Sequence, residues 1–266
     1  MANWKDIMIG LVSVMAGISV GYGVYKLTIK KGLSRPSINF VRGTNGLSFV
    51  AAINIKIPAT QLQYYKESDR PAIQKSLIEI NNKYGKSIAK ISKATAVPEA
   101  LVLSFIFIES RGGNNAVNGN SYGLMQINTT SATDLLHLAH TNNLLTSEIQ
   151  YMLRKHIGNR LDTILKMQYM NQYGLQVTAS DLQQPELNIL IGTLYLRLLI
   201  DYFTENKTIR LDKVVACYNM GFGWRTKLTG PDYETIEKMT SNLNSITGSY
   251  ILKLLGKNGT LDILTA

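Results

Sequence analysis

Cysteine is almost missing from this chain: Cys217 stands alone among 266 residues. That excludes an intrachain disulfide and a cysteine-based metal cage, so stability has to come from packing. Acidic residues are also few, 18 against 28 Lys and Arg, for a net charge of +10. The balance suits an anionic partner such as nucleic acid, anionic lipid or a cell-wall polymer, but charge speaks to attraction and not to chemistry. With 17% charged and 45% hydrophobic residues the composition is globular rather than disordered, and the length allows one or two domains with a sizeable core. No low-complexity tract or internal repeat interrupts it. His137, His140 and His156 lack the three or four ligands a structural metal requires, so no metal and no cofactor is expected. Two local absences say more. There is no charge from Ile7 to Tyr25, and no Asp or Glu from Ser110 to Thr133.

The uncharged run Ile7–Tyr25 is close to the roughly 20 residues of a bilayer-spanning helix, and it predicts a membrane anchor in contact with lipid. Ser13, Gly17 and Gly21 recur every fourth residue, a small-residue stripe suited to self-association of such helices. No small-residue cleavage site of a signal peptide precedes the basic run that follows. Lys26, Lys30, Lys31, Arg35 and Arg42 flank the span on its C-terminal side against Lys5 before it, which by the positive-inside rule puts that flank in the cytoplasm. For a domain that has to act outside the cytoplasm that orientation is unfavourable. The expectation is therefore arrival by another route, a phage particle first, with secretion machines and ordinary envelope remodelling as the other settings.

Residues 37–60 change character. Asn45-Gly46 between β-branched and aromatic runs is a hairpin signal, and a lone hairpin needs a packing partner. Beyond Pro58 the pattern is helical, with helices predicted near 71–84, 86–95, 98–111, 129–140, 146–156, 158–172, 185–204, 211–219 and 232–255. Pro71, Pro98 and Pro185 each fall where a first helical turn accepts proline. The expected organisation is an anchor with its basic flank over 1–36, a small β-hairpin over 37–60, and a helical domain over 61–266.

Glu109 ends the segment Leu101-Val-Leu-Ser-Phe-Ile-Phe-Ile108, just before Gly112-Gly113. Helices apolar on nearly every side are buried ones. Burial and the negative end of the helix dipole both disfavour the charged carboxylate and raise its pKa, as a general acid requires. A glutamate that closes an ordinary helix and reaches water is the other reading of the same pattern.

Several further motifs follow in order: Glu109-Ser110, Tyr122-Gly-Leu-Met-Gln-Ile127, Asn188 with Gly192 and Tyr195-Leu196, and Ala216-Cys-Tyr-Asn-Met-Gly221. Together they resemble the soluble lytic transglycosylase (SLT) family, which is similar to goose-type lysozymes, over roughly residues 83–256. The resemblance implies a mainly α, lysozyme-like catalytic domain that cuts the β-1,4 bond between N-acetylmuramic acid and N-acetylglucosamine in peptidoglycan. It makes Glu109 the catalytic acid. Ser110, Tyr122, Gly123, Met125 and Gln126 then surround it, and Tyr218 and Asn219 face the cleft from another helix. Met125 and Tyr195 are equally suited to core packing. Cys217 stands where the family usually has a small residue, and the stretch between Gln126 and Asn188 is longer than in compact members.

Glycosidases that hydrolyse usually pair two carboxylates, whereas Glu109 has no acidic neighbour before Asp134. The resemblance therefore implies one carboxyl acting as acid and then as base, with the substrate N-acetyl group assisting and a 1,6-anhydro-muramyl product. Intramolecular attack of that kind gains from proximity. A lysozyme-type hydrolase on the same fold is the enzymatic alternative. A structural membrane, virion or secretion-complex protein that retains a glycan-binding domain is the other. Peptidoglycan strands are the expected partner, and nucleic acid is not.

Overall fold

In this computed structural model residues 38–42, 48–52, 60–205 and 208–265 are described. The predicted anchor, residues 7–25, lies outside them, and among the described residues no helix is long and apolar enough to cross a membrane. Strands β1 (Ile38–Arg42) and β2 (Ser48–Ala52) pair antiparallel, with Ile38 opposite Ala52 and Arg42 opposite Ser48.

The first helix, α1 (Arg70–Thr95), runs unbroken through Gly85, where the sequence predicts two helices. Its buried residues Ile73, Leu77, Ile80, Tyr84, Ile88, Ile91 and Thr95 recur every three or four positions. That continuous stripe outweighs the roughly 1 kcal/mol cost of an internal glycine. In α2 (Glu99–Ser110) every residue from Ala100 to Phe107 is buried. Pro98 precedes it, and the Pro98 carbonyl accepts the Leu101 and Val102 N–H groups.

A three-stranded antiparallel sheet follows, ordered β3 (Val117–Asn118), β4 (Ser121–Tyr122), β5 (Ile127–Asn128). Asn128 then caps α3 (Thr129–Thr141) by accepting the Thr130 N–H, and Thr146 caps α4 (Ser147–Ile157) in the same way through Ile149. The helix predicted over 158–172 is shorter: α5 (Arg160–Leu165) stops, and Asn171 and Gly174 both take left-handed backbone, which ends any helical course. A capping box between Thr178 and Asp181 opens α6 (Ala179–Leu182), which leads to α7 (Pro185–Tyr202).

After a short β6–β7 ribbon (Thr204–Glu205, Thr208–Ile209) comes α8 (Leu211–Met220). The single helix predicted over 232–255 is instead α9 (Ile236–Asn242) and α10 (Ser245–Leu255). Asn244 separates them because its side chain accepts the Thr247 N–H and starts a new helix. Helix α11 (Thr260–Thr265) closes the described chain. The architecture is mainly helical, consistent with a lysozyme-like helical domain.

Two compact units divide the chain, one containing Ala72–Leu198 and the hairpin strands, the other containing Leu199 onward with the described residues up to Pro71. In the second unit α8 packs along α10, which also contacts α9 and α11. Arg70 pairs with Asp262 at 3.1 Å, and the Lys257 N–H donates to the Leu62 carbonyl at 2.8 Å.

In the Ala72–Leu198 unit α3 and α4 both pack against α5. Arg160 donates to both carboxylate oxygens of Asp181, at 2.6 and 2.9 Å, and to the Gln176 carbonyl at 2.9 Å. Burial opposes ionisation of Asp181, but the Arg160 guanidinium and the Thr178 hydrogen bonds outweigh it and hold the carboxyl below the usual carboxylate range. Asp181→Asn is expected to cost about 2 kcal/mol at neutral pH, the range for hydrogen bonds to charged groups. A depressed folded-state pKa stabilises above the unfolded value and is lost as pH falls through the folded one. The gap between wild type and variant therefore stays constant down to about pH 4 and closes below it. Urea titrations at about pH 7, 4 and 2.5 read this out.

Candidate active site

Glu109 is delivered by the last turn of α2, half-buried at the end of a fully buried stretch. The helix ends one residue before the glycine pair singled out in the sequence. Arg111 takes the left-handed conformation and donates its N–H to the Phe107 carbonyl at 3.1 Å. Its guanidinium folds back over the Phe107 ring, 3.9 Å from the centroid, a cation–π contact that helps a non-glycine residue hold this position. Gly112 then continues with φ of 82°, and a β-carbon there would lie 2.7 Å from the Ile80 side chain. The Tyr84 hydroxyl donates to the Gly112 carbonyl at 3.2 Å.

Ser110 joins this helix end to the next motif. Its hydroxyl has the Leu124 carbonyl at 2.8 Å and the Ile106 carbonyl at 3.1 Å as acceptors, and it accepts the Gly112 N–H at 3.2 Å. Leu124 belongs to a tight turn between β4 and β5 in which the Gln126 N–H reaches the Gly123 carbonyl at 3.2 Å. Gln126 sits at φ of 48°. Its side-chain amide donates to the Gly123 carbonyl at 2.8 Å and the Ala116 carbonyl at 3.1 Å, so the residue closes its own turn.

The turn is clamped from the other side by Asn188, which has no exposed surface. Its side-chain oxygen accepts the Met125 N–H at 2.7 Å, while its nitrogen donates to the Tyr122 carbonyl at 2.7 Å and the Leu182 carbonyl at 2.8 Å. Gly123 is required here on two counts. Its φ is 76°, and a β-carbon would lie 2.4 Å from both the Asn188 side-chain nitrogen and the Leu182 carbonyl oxygen. One helical turn beyond Asn188, Gly192 leaves room for Met125, whose sulfur lies 2.6 Å from the site of an added β-carbon.

Among the expected site residues, then, Glu109, Ser110, Tyr122, Gly123, Met125 and Gln126 are gathered around one turn. Met125 is fully buried and contributes packing, and the Gln126 amide nitrogen is engaged by backbone. Tyr122 is half-buried, and its carbonyl serves the clamp. Tyr218 and Asn219 belong to the Leu199 unit. There Tyr218 is buried in α8, and Asn219 accepts the Thr247 hydroxyl at 2.9 Å, tying α8 to α10.

Sequence reasoning used Asn188 only as a motif marker and did not see its clamping role. The available signal was a polar residue opening a helix otherwise apolar at Leu187, Ile191, Leu194 and Leu198.

Three acids later in the chain have structural engagements. Asp162 holds Arg154 at 2.7 and 3.1 Å, Asp181 holds Arg160, and Asp134 accepts the Asn171 N–H at 2.7 Å. Burial pushes the Cys217 thiol up to about 12, which removes it as a nucleophile. Among the described residues no cluster of His, Cys, Asp or Glu is arranged to hold a metal.

A helical unit that presents a glutamate at the end of a buried helix, beside a glycine turn locked from a second helix, is a framework for acid–base chemistry. Residues 164–239 match the family described as the Transglycosylase SLT domain. No curated protein and no solved structure matches the chain. The matched stretch contains Asn188, Gly192, Tyr218 and Asn219; Glu109 and the Gly123 turn precede it and are joined to it through Asn188. The match supports the SLT family, whose members are lytic transglycosylases acting on peptidoglycan.

Asn188→Leu would leave the Met125 N–H and the Tyr122 and Leu182 carbonyls without this partner, at an expected cost of about 3 kcal/mol. Gly123→Ala is expected to cost about as much through overlap and positive φ. Gly158→Ala meets open space but sits at φ 55° and ψ −137°, a strained backbone for any L side chain, and should cost about 2 kcal/mol from strain alone. Chemical denaturation of the three variants tests the order.

Proposed function

We propose that this protein is a peptidoglycan lytic transglycosylase with Glu109 as its single catalytic carboxyl. The observation that carries the reading is the Ser110 hydrogen bond to Leu124, which couples the end of α2 to a turn that Asn188 locks onto the SLT-matched helix α7.

In the first step Glu109 donates its proton to the glycosidic oxygen between N-acetylmuramic acid and N-acetylglucosamine. The substrate N-acetyl oxygen assists as the bond to the leaving sugar breaks. Glu109, now ionised, takes the proton from the muramic acid 6-hydroxyl, whose oxygen closes on C1 to form the 1,6-anhydro end. Proton and bond counts balance without water, and the attack gains the advantage of an intramolecular reaction. Engagement of Asp162 and Asp181 with arginines favours this reading over hydrolysis by paired carboxylates.

Tyr122 borders the site, and Ser110, Gly123, Met125 and Gln126 shape it. The proposed setting is the envelope, with residues 7–25 as anchor and a phage virion as carrier, for opening the wall locally.

Glu109→Gln is expected to abolish clearing of a peptidoglycan zymogram, by about 1,000-fold or more in rate, on the scale of losing general acid–base catalysis. It should leave the urea midpoint near that of wild type. Mass analysis of wild-type products should give anhydro-muropeptides. Reducing ends without anhydro species would make the enzyme a hydrolase, and unchanged clearing by Glu109→Gln would remove Glu109 from the mechanism.

A further inference from the structure

The stretch Met167–Thr178 between α5 and α6 carries no charged residue in a chain of net charge +10. Four large apolar or aromatic side chains in it face solvent: Tyr169 (53% exposed), Met170, Tyr173 (48%) and Leu175. Between them stand the amides Gln168, Asn171, Gln172 and Gln176. A loop of this composition left free in solution would be expected to move, yet its backbone is tied down. The Asn171 N–H donates to Asp134 at 2.7 Å, the Gln176 N–H to the Thr133 hydroxyl at 2.8 Å, and the Gln176 carbonyl accepts from Arg160. Side chains stiffen it further: Gln172 accepts the Gln168 N–H at 2.6 Å, and Gln176 donates to the Tyr173 carbonyl at 2.9 Å.

The anchor points matter as much as the loop. Thr133 and Asp134 lie in α3, the helix that begins directly after β5 of the active-site sheet. Thr133 is about 8 Å along the helix axis from the Asn128 cap at 1.5 Å per residue. The exposed tyrosines are thus carried on a support continuous with the Gly123 turn.

We propose that Gln168–Gln176 is a glycan-contacting platform, in which Tyr169 and Tyr173 stack on pyranose rings and the Gln168 and Asn171 side-chain amides bond to hydroxyl and N-acetyl groups. Sugar rings present an apolar C–H face with a polar rim, which a tyrosine ring flanked by Gln and Asn matches. Tyrosine also offers contact area with few rotatable bonds, and a pre-tied backbone lowers the ordering cost of binding. A polyanion would be met by Lys or Arg, and a membrane surface by a basic amphipathic helix. The platform has neither. The choice of a glycan as occupant rests on the reading of Glu109 as a glycan-cleaving acid, and it assigns to this loop a preference for longer strands.

The test uses the full chain with Glu109→Gln, so that binding is read without turnover. Purified peptidoglycan sacculi serve in a sedimentation assay, and chitin hexasaccharide is titrated by calorimetry. Tyr169→Ala with Tyr173→Ala should weaken both by roughly tenfold, as for truncation of interface anchors. The double Phe variant, which keeps the rings, should bind nearly as the parent. Equal affinity of the Ala variant and parent for both glycans overturns the proposal, as does an absence of glycan binding by the parent. Loss of binding to liposomes or to a protein partner, with glycan binding intact, also overturns it. Wild-type digestion of sacculi is scored separately. Tyr-dependent glycan binding without Glu109-dependent digestion removes the enzymatic reading alone, and digestion with Tyr-independent binding removes the platform alone.

Discussion

The side chain of Asn188 holds the candidate site together. Buried and without exposed surface, it uses one oxygen and two N–H bonds to meet a backbone N–H and two backbone carbonyls. Each of those backbone groups would otherwise be a buried polar atom in search of a partner, and a half-satisfied network is worse than none. The glycine turn, the serine at the end of α2 and the glutamate before it inherit their positions from that arrangement. Gly123 and Gly192 complete it by what they omit, since a β-carbon at either would collide with the groups they let approach.

Helix α2 performs a second task, carrying a carboxylic acid to the edge of a dry interior. Eight successive buried residues make its register difficult to change, so Glu109 cannot drift by even one position without burying charge or exposing Phe107. Arg111 reinforces this by ending the helix in left-handed backbone and covering the Phe107 ring. Elsewhere in the same unit carboxylates are bound up with cations: Glu186 meets both Lys90 and Lys155, and Asp181 meets Arg160.

Much of this was legible in the sequence, and the exceptions have physical causes. The apolar run before Glu109 identified a buried helix because no helix with one wet face has that composition. The Glu-Ser, Gly-Leu-Met-Gln and Asn188 motifs marked residues that the Ser110 and Asn188 hydrogen bonds draw together, while the Tyr-Asn motif lies on α8 of the other unit. Motifs alone did not separate contact from scaffold, and Met125 is the clearest case: its burial on Gly192 depends on a helix some sixty residues later. The predicted break at Gly85 was misplaced because the buried stripe through Tyr84 and Ile88 dominates a local propensity. Asn244 was passed over as a helix interior residue although its side chain is a cap. The end of α5 was missed because Met167, Tyr169 and Tyr173 keep an apolar rhythm while their backbone turns away, held by Thr133 and Asp134. The run 7–25 lies outside the described residues, so its expected role as an anchor remains a reading of composition.

The clamp also has a consequence for biosynthesis. Asn188 bonds to residues 63 and 66 positions earlier in the chain. Local helices such as α2 form early, but a contact of that span has to wait for the later segment, since the entropy of closing the intervening loop is paid only when α7 can dock. A nascent chain that has exposed Glu109 but not yet Asn188 and Gly192 carries the acid without the turn that orders its surroundings. Ordering of the Gly123 turn is thereby deferred until α7 has been made and can dock.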